Sequence, residues 1–502
     1  MEYAEILARI LAGTLSGLCR CHFDMRIVFD MRPVAAHMRQ GFMQLAVCGH
    51  DRLQHETEQQ QDNQPSTGHD AETSGRSAAV AGGSVHGSEG YVHRRRLHNS
   101  SPHLDEVGLH AAATRCPRGA STLPPVPTDG TRMAATPERD YDLVIVGASF
   151  AGAACALAAA QYGLRVCVLE RKRDPGLKLH TTGIIVKEAA ERTWLNRMPA
   201  DLVRRVDKVR MYAPNLRNVA LQVPDYYFLT TDTPNLMRWL ADEMRDQGVD
   251  LRLAHSFTDA TRSTQPHRGR WHLPGVGHAH WLVGADGAKS RVAQRFGLGA
   301  VRDFLYGVEY EFADLELNEP DALHCFIDKR LAPGYIGWAT QNPTGVQFGL
   351  AFRHDVARAG TPDVAALRER VGTQLGIPRD LPPSAIRAGL IPCGGPVSPI
   401  AKPGVILTGD AAGIVSPVTA GGIHSAWQHG WAVGEGLARH LRDGGPSPER
   451  IAADAAPRYR FKRALRWVFD HAQYDWPFDL LLGSAPMRWA AERVYFGARA
   501  QP

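Results

Sequence analysis

The chain has 502 residues, enough for two or three domains, and its 44% hydrophobic and 22% charged content is that of an ordinary globular protein. A formal net charge of +5 is small for this length, and no basic stripe is interleaved with aromatics, which excludes nucleic acid as an expected partner. No apolar run approaches the roughly 18 residues of a membrane-spanning helix, and the eight cysteines show neither a disulfide framework nor metal-ligand spacing.

Residues 1–132 differ from the rest, with 10 of the 22 histidines and 4 of the 8 cysteines. The stretch "HETEQQQDNQPSTGHDAETSGRSAAVAGGSVHGSEG" is too polar to bury a core that offsets its ordering entropy. A disordered prefix over 1–138 is expected, with Met133 as the start of the working protein. Cys19, Cys21 and His22 lack a second pair at zinc spacing, so no metal is expected there. The first residues carry Glu2 and Glu5 and no basic leader, which makes a poor signal peptide. A reducing, cytoplasmic setting is the expectation.

From Tyr141 the pattern becomes regular. A strand at 142–146, a helix at about 150–162 and a strand at 165–169 enclose "GASFAG". Gly147 suits a tight turn, Ser149 is small enough for a phosphate to approach, and Gly152 permits close helix packing. Glu170, at the end of the second strand, is positioned to accept hydrogen bonds from a ribose. "TPNLMRWLADEMRDQG" reads as a helix with Thr233 as N-cap, Pro234 in the first turn and Gly248 past the end. "VDLRLA" reads as a strand.

"LVGADGAKSRV" then places Asp286 and Gly287 at a strand end before a helix. Residues 300–395 are strand-rich, with alternating stretches such as "GVQFGLAF". In "VILTGDAAGIVSPVTAGGIHSA" Asp410 ends an apolar strand where a carboxylate can meet a sugar-like hydroxyl. Gly421, Gly422 and Ile423 open another helix, whose N-terminus suits a developing anion. Strands alternating with helices predict an α/β fold with a parallel sheet and a second, strand-rich domain.

The three glycine motifs, in this order, resemble the FAD-dependent oxidoreductases of the glutathione-reductase-type fold, in the branch of geranylgeranyl reductase and para-hydroxybenzoate hydroxylase. The resemblance covers about residues 140–440 and implies a Rossmann-like FAD-binding domain with an inserted strand-rich α+β substrate domain. By domain, 139–200, 233–299 and 396–442 fall to FAD binding and 201–232 and 300–395 to substrate, with 443–502 as a C-terminal helical cap. It implies that Gly147, Ser149, Gly152 and Glu170 hold the adenosine end, with Arg171 beside them. Asp286 and Gly287 lie near the pyrophosphate, Asp410 meets the ribitol, and Gly422 and Ile423 meet the flavin ring. NADPH or NADH is the implied transient reductant.

"GDAAGIVSPVTAGGIHSAWQHGWAV" looks more like the prenyl reductases than the hydroxylases. Their substrate signature is present in altered form in "PGYIGWATQNPTGVQFGLA", which makes Tyr335 and Trp338 the substrate candidates and Gly349 its surviving glycine. The stretch "LKLHTTGIIVKEA" passes the flavin by the same resemblance and makes His180 the candidate proton donor. The expected reaction is reduction of a C=C bond in a small apolar substrate. The alternatives are hydroxylation of an aromatic or apolar substrate and a flavin-binding protein without turnover. The Arg- and Trp-rich run from Arg458 to Leu482 is expected to cap the substrate domain, with peripheral membrane contact as the sharper alternative.

Overall fold

The computed structural model describes residues 138–355 and 360–497, all within the unit Gly130–Pro502. The expectations for the prefix, for Met133 and for Cys19, Cys21 and His22 lie outside the described residues.

β1 (Arg139–Val146), α1 (Phe150–Gln161) and β2 (Val166–Leu169) form the first unit. The α1 sequence FAGAACALAAAQ is nearly all small and apolar, so the helix is sunk in the core instead of lying on its surface. Its neighbours in that core include Trp427, Val433 and Leu437. The cysteines of this unit, Cys155 and Cys167, are fully buried as small core residues, and burial pushes both thiols upward in pKa.

α2 (Thr233–Asp246) starts one residue earlier than the sequence suggested. Its N-cap is Asp232, whose carboxylate accepts the Asn235 N–H at 3.2 Å. Thr233 also has a capping side chain, but its hydroxyl is paired with Thr231 Oγ1 at 2.9 Å. Tertiary pairing thus decides between two residues of equal capping propensity. β3 (Asp250–Arg252), β4 (Gly277–Gly284) and α3 (Arg291–Phe296) complete the early part.

The chain then builds β5 (Phe304–Ala313), β6 (Gly337–Asn342), β7 (Gly345–Arg353), α4 (Val364–Leu375) and β8 (Ala385–Pro392). It returns as β9 (Val405–Leu407), a 3₁₀ turn at Gly409–Ala412 and α5 (Ile423–Asp443). Helices at Pro448–Ala455, Arg460–Ala472, Trp476–Leu481 and Ala485–Phe496 follow.

Among the described residues three sheets result. In the eight-stranded sheet β9, β4, β1, β2 and β3 lie side by side and parallel. The seven-stranded sheet runs β8-β5-β7-β6 antiparallel and continues through Ala322–Phe326, Lys208–Tyr212 and Asn218–Leu221. Ile185–Val186, Phe228–Thr231 and Val203–Val206 form a small third sheet. One face of the seven-stranded sheet is an apolar core under α4, with Val308, Phe312, Phe348 and Leu350. On the opposite face Leu482, Ala491 and Phe496 of the C-terminal helices pack against Val209, Met211 and Cys325.

Candidate active site

Three turns meet at the C-terminal ends of β1, β4 and β9. Gly147 has φ +104°, and a Cβ there would lie 2.3 Å from the Ala285 carbonyl oxygen of the second turn. A Cβ on Gly152 would lie 1.9 Å from the Gly147 oxygen, and one on Gly409 would lie 2.6 Å from Ala151 Cβ. All three motifs therefore touch around the α1 N-terminus, and only glycine allows the approach. Ser149 is the exposed N-cap of α1 and makes no side-chain capping bond, so the first N–H groups of the helix remain available to an anion.

The carboxylates divide into two kinds. Glu170 is buried, with Oε2 accepting the Ala148 N–H at 3.1 Å and Oε1 the Lys172 N–H at 3.0 Å, so it fastens the first turn. Asp286 is similarly committed. Its Oδ1 accepts the Ser290 hydroxyl at 2.6 Å and its Oδ2 accepts the Arg291 and Val292 N–H groups at 2.7 and 3.2 Å. Its side chain starts α3 while Gly287, at φ +84° with open space around it, shapes the turn. Arg171 is exposed and forms no hydrogen bond or ion pair among the described residues.

Asp410 is of the other kind. It is solvent-accessible, yet desolvation alone pushes its pKa up to about 6, with no donor offsetting it. Its Oδ1 would be 3.8 Å from a Cβ on Gly422, the N-cap of α5, which brings no side-chain acceptor of its own. Ile423 begins that helix. The non-glycine Ala420, just before, holds φ +51°, a conformation that costs energy and marks a constrained loop.

The substrate candidates adjoin this loop. The Tyr335 hydroxyl donates to the Thr419 carbonyl at 2.7 Å. Tyr335 also shares an apolar group with Leu305, Ala351 and Cys393, against which Trp338, Ile391 and Ala420 pack. Trp338 lies across Gly349, where a Cβ would fall 2.2 Å from the indole ring. That explains why glycine survives at this point of the altered signature. His180 is exposed, and its Nδ1 donates to the Ala388 carbonyl at 2.7 Å, the only role a carbonyl partner allows that nitrogen. Its ring edges Gly389 on β8.

Sequence reasoning missed Glu309. It is 5% exposed, on β5, and its Oε2 accepts the Thr182 hydroxyl at 2.6 Å and the Trp338 Nε1–H at 2.9 Å. The signal was available in "VEYEF": two glutamates two apart in a strand share a face opposite Val308, Tyr310 and Phe312. The bland interpretation of that alternation is a solvated face, and only the register shows the face to be covered.

A flavin dinucleotide fits these residues. The uncapped α1 N-terminus behind a glycine turn matches a pyrophosphate, and Asp410, whose carboxylate has no hydrogen-bond partner among the described residues, beside the α5 N-terminus matches a polyol hydroxyl next to a ring that gains negative charge. The fold and the site thus define a flavoprotein oxidoreductase. The model of the family described as FAD binding domain matches residues 140–465, more than half of the chain, and the chain belongs to this family. It is an FAD-dependent enzyme of the class that holds both reductases and monooxygenases. The digeranylgeranylglycerophospholipid reductase 2 of Methanopyrus kandleri is 28% identical over 322 residues, 61% of this chain and 78% of that protein. The protein of the same name from Methanothermobacter thermautotrophicus is 26% identical over 314 residues, 61% of this chain and 79% of its own. Among solved structures, a geranylgeranyl bacteriochlorophyll reductase-like protein from Thermoplasma acidophilum matches with TM-score 0.62 and 17% identity over 72% of this chain and 98% of its own. The p-nitrophenol 4-monooxygenase of Pseudomonas putida matches with TM-score 0.56 and 15% identity, over 73% and 100%. At these identities the two structures show the shared fold.

Proposed function

We propose that the chain is a geranylgeranyl reductase-like enzyme that reduces a carbon–carbon double bond in an apolar, chain-like substrate at the expense of NADPH or NADH. FAD held by the three turns supplies hydride transfer. Ser149 and the α1 N-terminus would hold its phosphates, Asp410 would accept from its polyol, and the α5 N-terminus at Gly422 would adjoin the ring. The observation that carries the substrate class is the floor beside Ala420. Gly307, Gly349, Ala351 and Gly389 are small, and Leu305, Trp338 and Ile391 share their face of the sheet with Tyr335 packed beside them, which supports an apolar substrate on this side.

Contact with a lipid surface accompanies this reading. Phe461, Trp467, Tyr474, Trp476, Leu480 and Trp489 are each more than 40% exposed, and all lie on the C-terminal helices except Tyr474, which is in the loop before Trp476, amid arginines. The helix Arg460–Ala472 buries Arg466 and turns Phe461 and Trp467 outward, the reverse of a core-facing amphipathic helix. Among the described residues no helix is long and apolar enough to cross a membrane.

The test is a turnover assay on the flavin-loaded protein with digeranylgeranylglycerophospholipid in vesicles, run with and without oxygen. A product that gains two hydrogens per double bond under anaerobic conditions supports the reductase. A product that gains an oxygen atom, with strictly coupled oxygen consumption, replaces it with a monooxygenase. Flotation of the protein with anionic vesicles tests the surface contact.

A further inference from the structure

Glu309 sits in a cross-strand row. β8, β5, β7 and β6 place Arg387, Glu309, Gly349 and Trp338 opposite one another in that order. Because Gly349 has no side chain, the Trp338 indole spans it and reaches the Glu309 carboxyl at 2.9 Å. From above, Thr182 donates to the same oxygen at 2.6 Å. Arg387 also donates to the Thr181 carbonyl at 2.9 Å, so the row is tied to the segment that carries His180, Thr181 and Thr182.

The second oxygen, Oε1, receives no hydrogen bond among the described residues, and the nearest cation, Arg387 Nη1, stands 3.9 Å away. Arg387 is itself engaged by Glu311. The set therefore contains two carboxyl groups and one guanidinium, with side-chain exposures of 6%, 21% and 11% for Glu309, Glu311 and Arg387. If both carboxyls were ionised, a net negative charge would be left out of water, which costs several kcal/mol. Among the described residues, β7 presents Gly349 and Gln347 and β6 presents Trp338 and Thr340 to this face, none of them charged, and His180 is turned onto the Ala388 carbonyl. Burial is the largest influence on the Glu309 pKa and raises it, against the lowering by Thr182, Arg387 and Trp338, and Glu311 raises it further.

We propose that Glu309 rests as a neutral carboxylic acid and delivers its proton through the Thr182 hydroxyl to the substrate. This rests on the double-bond reduction proposed above. That reaction places a hydride, drawn from the nicotinamide through the flavin, on one carbon and a proton on its neighbour. In the neutral acid the Glu309 Oε2–H donates to Thr182 Oγ1 across the same 2.6 Å contact, the reverse of the bond a carboxylate would receive, and the Thr182 O–H is free to turn to the substrate. That O–H bond breaks as the new C–H bond forms, and the Glu309 proton refills the hydroxyl. The carboxylate left behind is held by Thr182, Trp338 and Arg387 until water reprotonates it. Thr182 is partly exposed, as a relay requires. Glu309 acts through Thr182 and is a positioning and proton-storing residue, not one that touches the substrate.

The test uses the flavin-loaded full chain and the variants Glu309→Gln, Thr182→Val and Thr182→Ser. Glu309→Gln keeps an oxygen that accepts from Thr182 and Trp338 but holds no transferable proton. The infrared difference spectrum of wild type minus Glu309→Gln at neutral pH is expected to show the carbonyl stretch of a protonated carboxylic acid, shifted in D2O. In anaerobic stopped flow, reoxidation of the reduced flavin by substrate is expected to slow about 100-fold in Glu309→Gln and Thr182→Val. Thr182→Ser is expected to keep the wild-type rate, and flavin reduction by the nicotinamide is expected to be unchanged in all three. A solvent deuterium isotope effect on reoxidation in wild type, absent in Glu309→Gln, completes the expected result. Absence of the infrared band overturns the proposal, as does a wild-type reoxidation rate in Glu309→Gln. A wild-type enzyme that oxygenates its substrate overturns the relay by removing its reaction. The infrared band then still reports the state of Glu309, which tells that failure from an ionised Glu309.

Discussion

The two large sheets make a site in different ways. The parallel sheet builds its side from backbone: Gly147, Gly152 and Gly409 let three turns close on one helix N-terminus, and among the described residues of these turns Asp410 contributes a carboxylate without a hydrogen-bond partner. The antiparallel sheet builds its side from side chains aligned across strands, as in the row Arg387, Glu309, Gly349 and Trp338. A backbone site fails when an atom is added. A side-chain site fails when a partner is exchanged.

The sharpest way to break this contrast is Gly152→Ala. A methyl 1.9 Å from the Gly147 oxygen cannot be absorbed by a side-chain movement, because the obstacle is backbone. FAD affinity is expected to fall about 100-fold, equivalent to roughly 2.7 kcal/mol. The substrate sheet is expected to stay folded. Flavin fluorescence titration measures the first and near-ultraviolet circular dichroism the second. Retention of wild-type affinity would remove the backbone account of the cofactor side.

Gly349→Ala is the matching change on the other sheet. Its methyl would meet the Trp338 ring at 2.2 Å, but here the obstacle is a side chain that can swing away. Stability is expected to drop by about 1–3 kcal/mol through overpacking. FAD affinity is expected to be unchanged, while the Trp338–Glu309 bond is lost. Urea unfolding and flavin titration on the same sample separate the two effects.

These differences also decide what the sequence could reveal. Turn glycines are enforced by local backbone geometry, so "GASFAG" and "GDAAG" declare themselves in one dimension. Asp286 did so only in part: the residue marks the turn, but its carboxylate was spent on Ser290 and the α3 N–H groups, which no motif discloses. The choice of Asp232 over Thr233 as N-cap turned on Thr231, a tertiary neighbour. Glu309 was illegible for a stronger reason. A strand with glutamates on one face reads as half-solvated until the register places Trp338 and Thr182 over it.

The pH dependence of stability sharpens the comparison within the parallel-sheet region. His429 is buried, accepts from the Thr408 hydroxyl at 2.9 Å and donates to the Ala452 carbonyl at 2.9 Å, joining β9 to α5 and the next helix. Burial lowers its pKa from 6.5 to about 4. The unfolded chain therefore binds this proton more readily, and the stabilisation present above pH 6.5 is lost as pH falls towards about 4. A loss of about 1–2 kcal/mol between neutral pH and about pH 5 is expected, and His429→Gln should flatten it. Asp410 acts with the opposite sign in the flavin-free protein. Its pKa, raised from 3.8 to about 6, makes the folded state the better proton acceptor, so its cost to stability fades as pH falls through 6. Denaturation midpoints of His429→Gln and Asp410→Asn across this range separate the two.

His180→Gln is expected to have the smallest effect, and it tests where the proton comes from. The imidazole is exposed and its Nδ1–H is occupied by the Ala388 carbonyl, a bond a glutamine amide can replace. Stability should change by less than about 0.5 kcal/mol. If His180 supplied the proton, turnover would fall with the substitution. If Glu309 stores the proton and Thr182 passes it, turnover stays within about twofold of wild type and the pH profile keeps its shape. A rate of flavin reoxidation that collapses in His180→Gln but survives in Glu309→Gln would move proton delivery off the antiparallel sheet and onto the segment that crosses it.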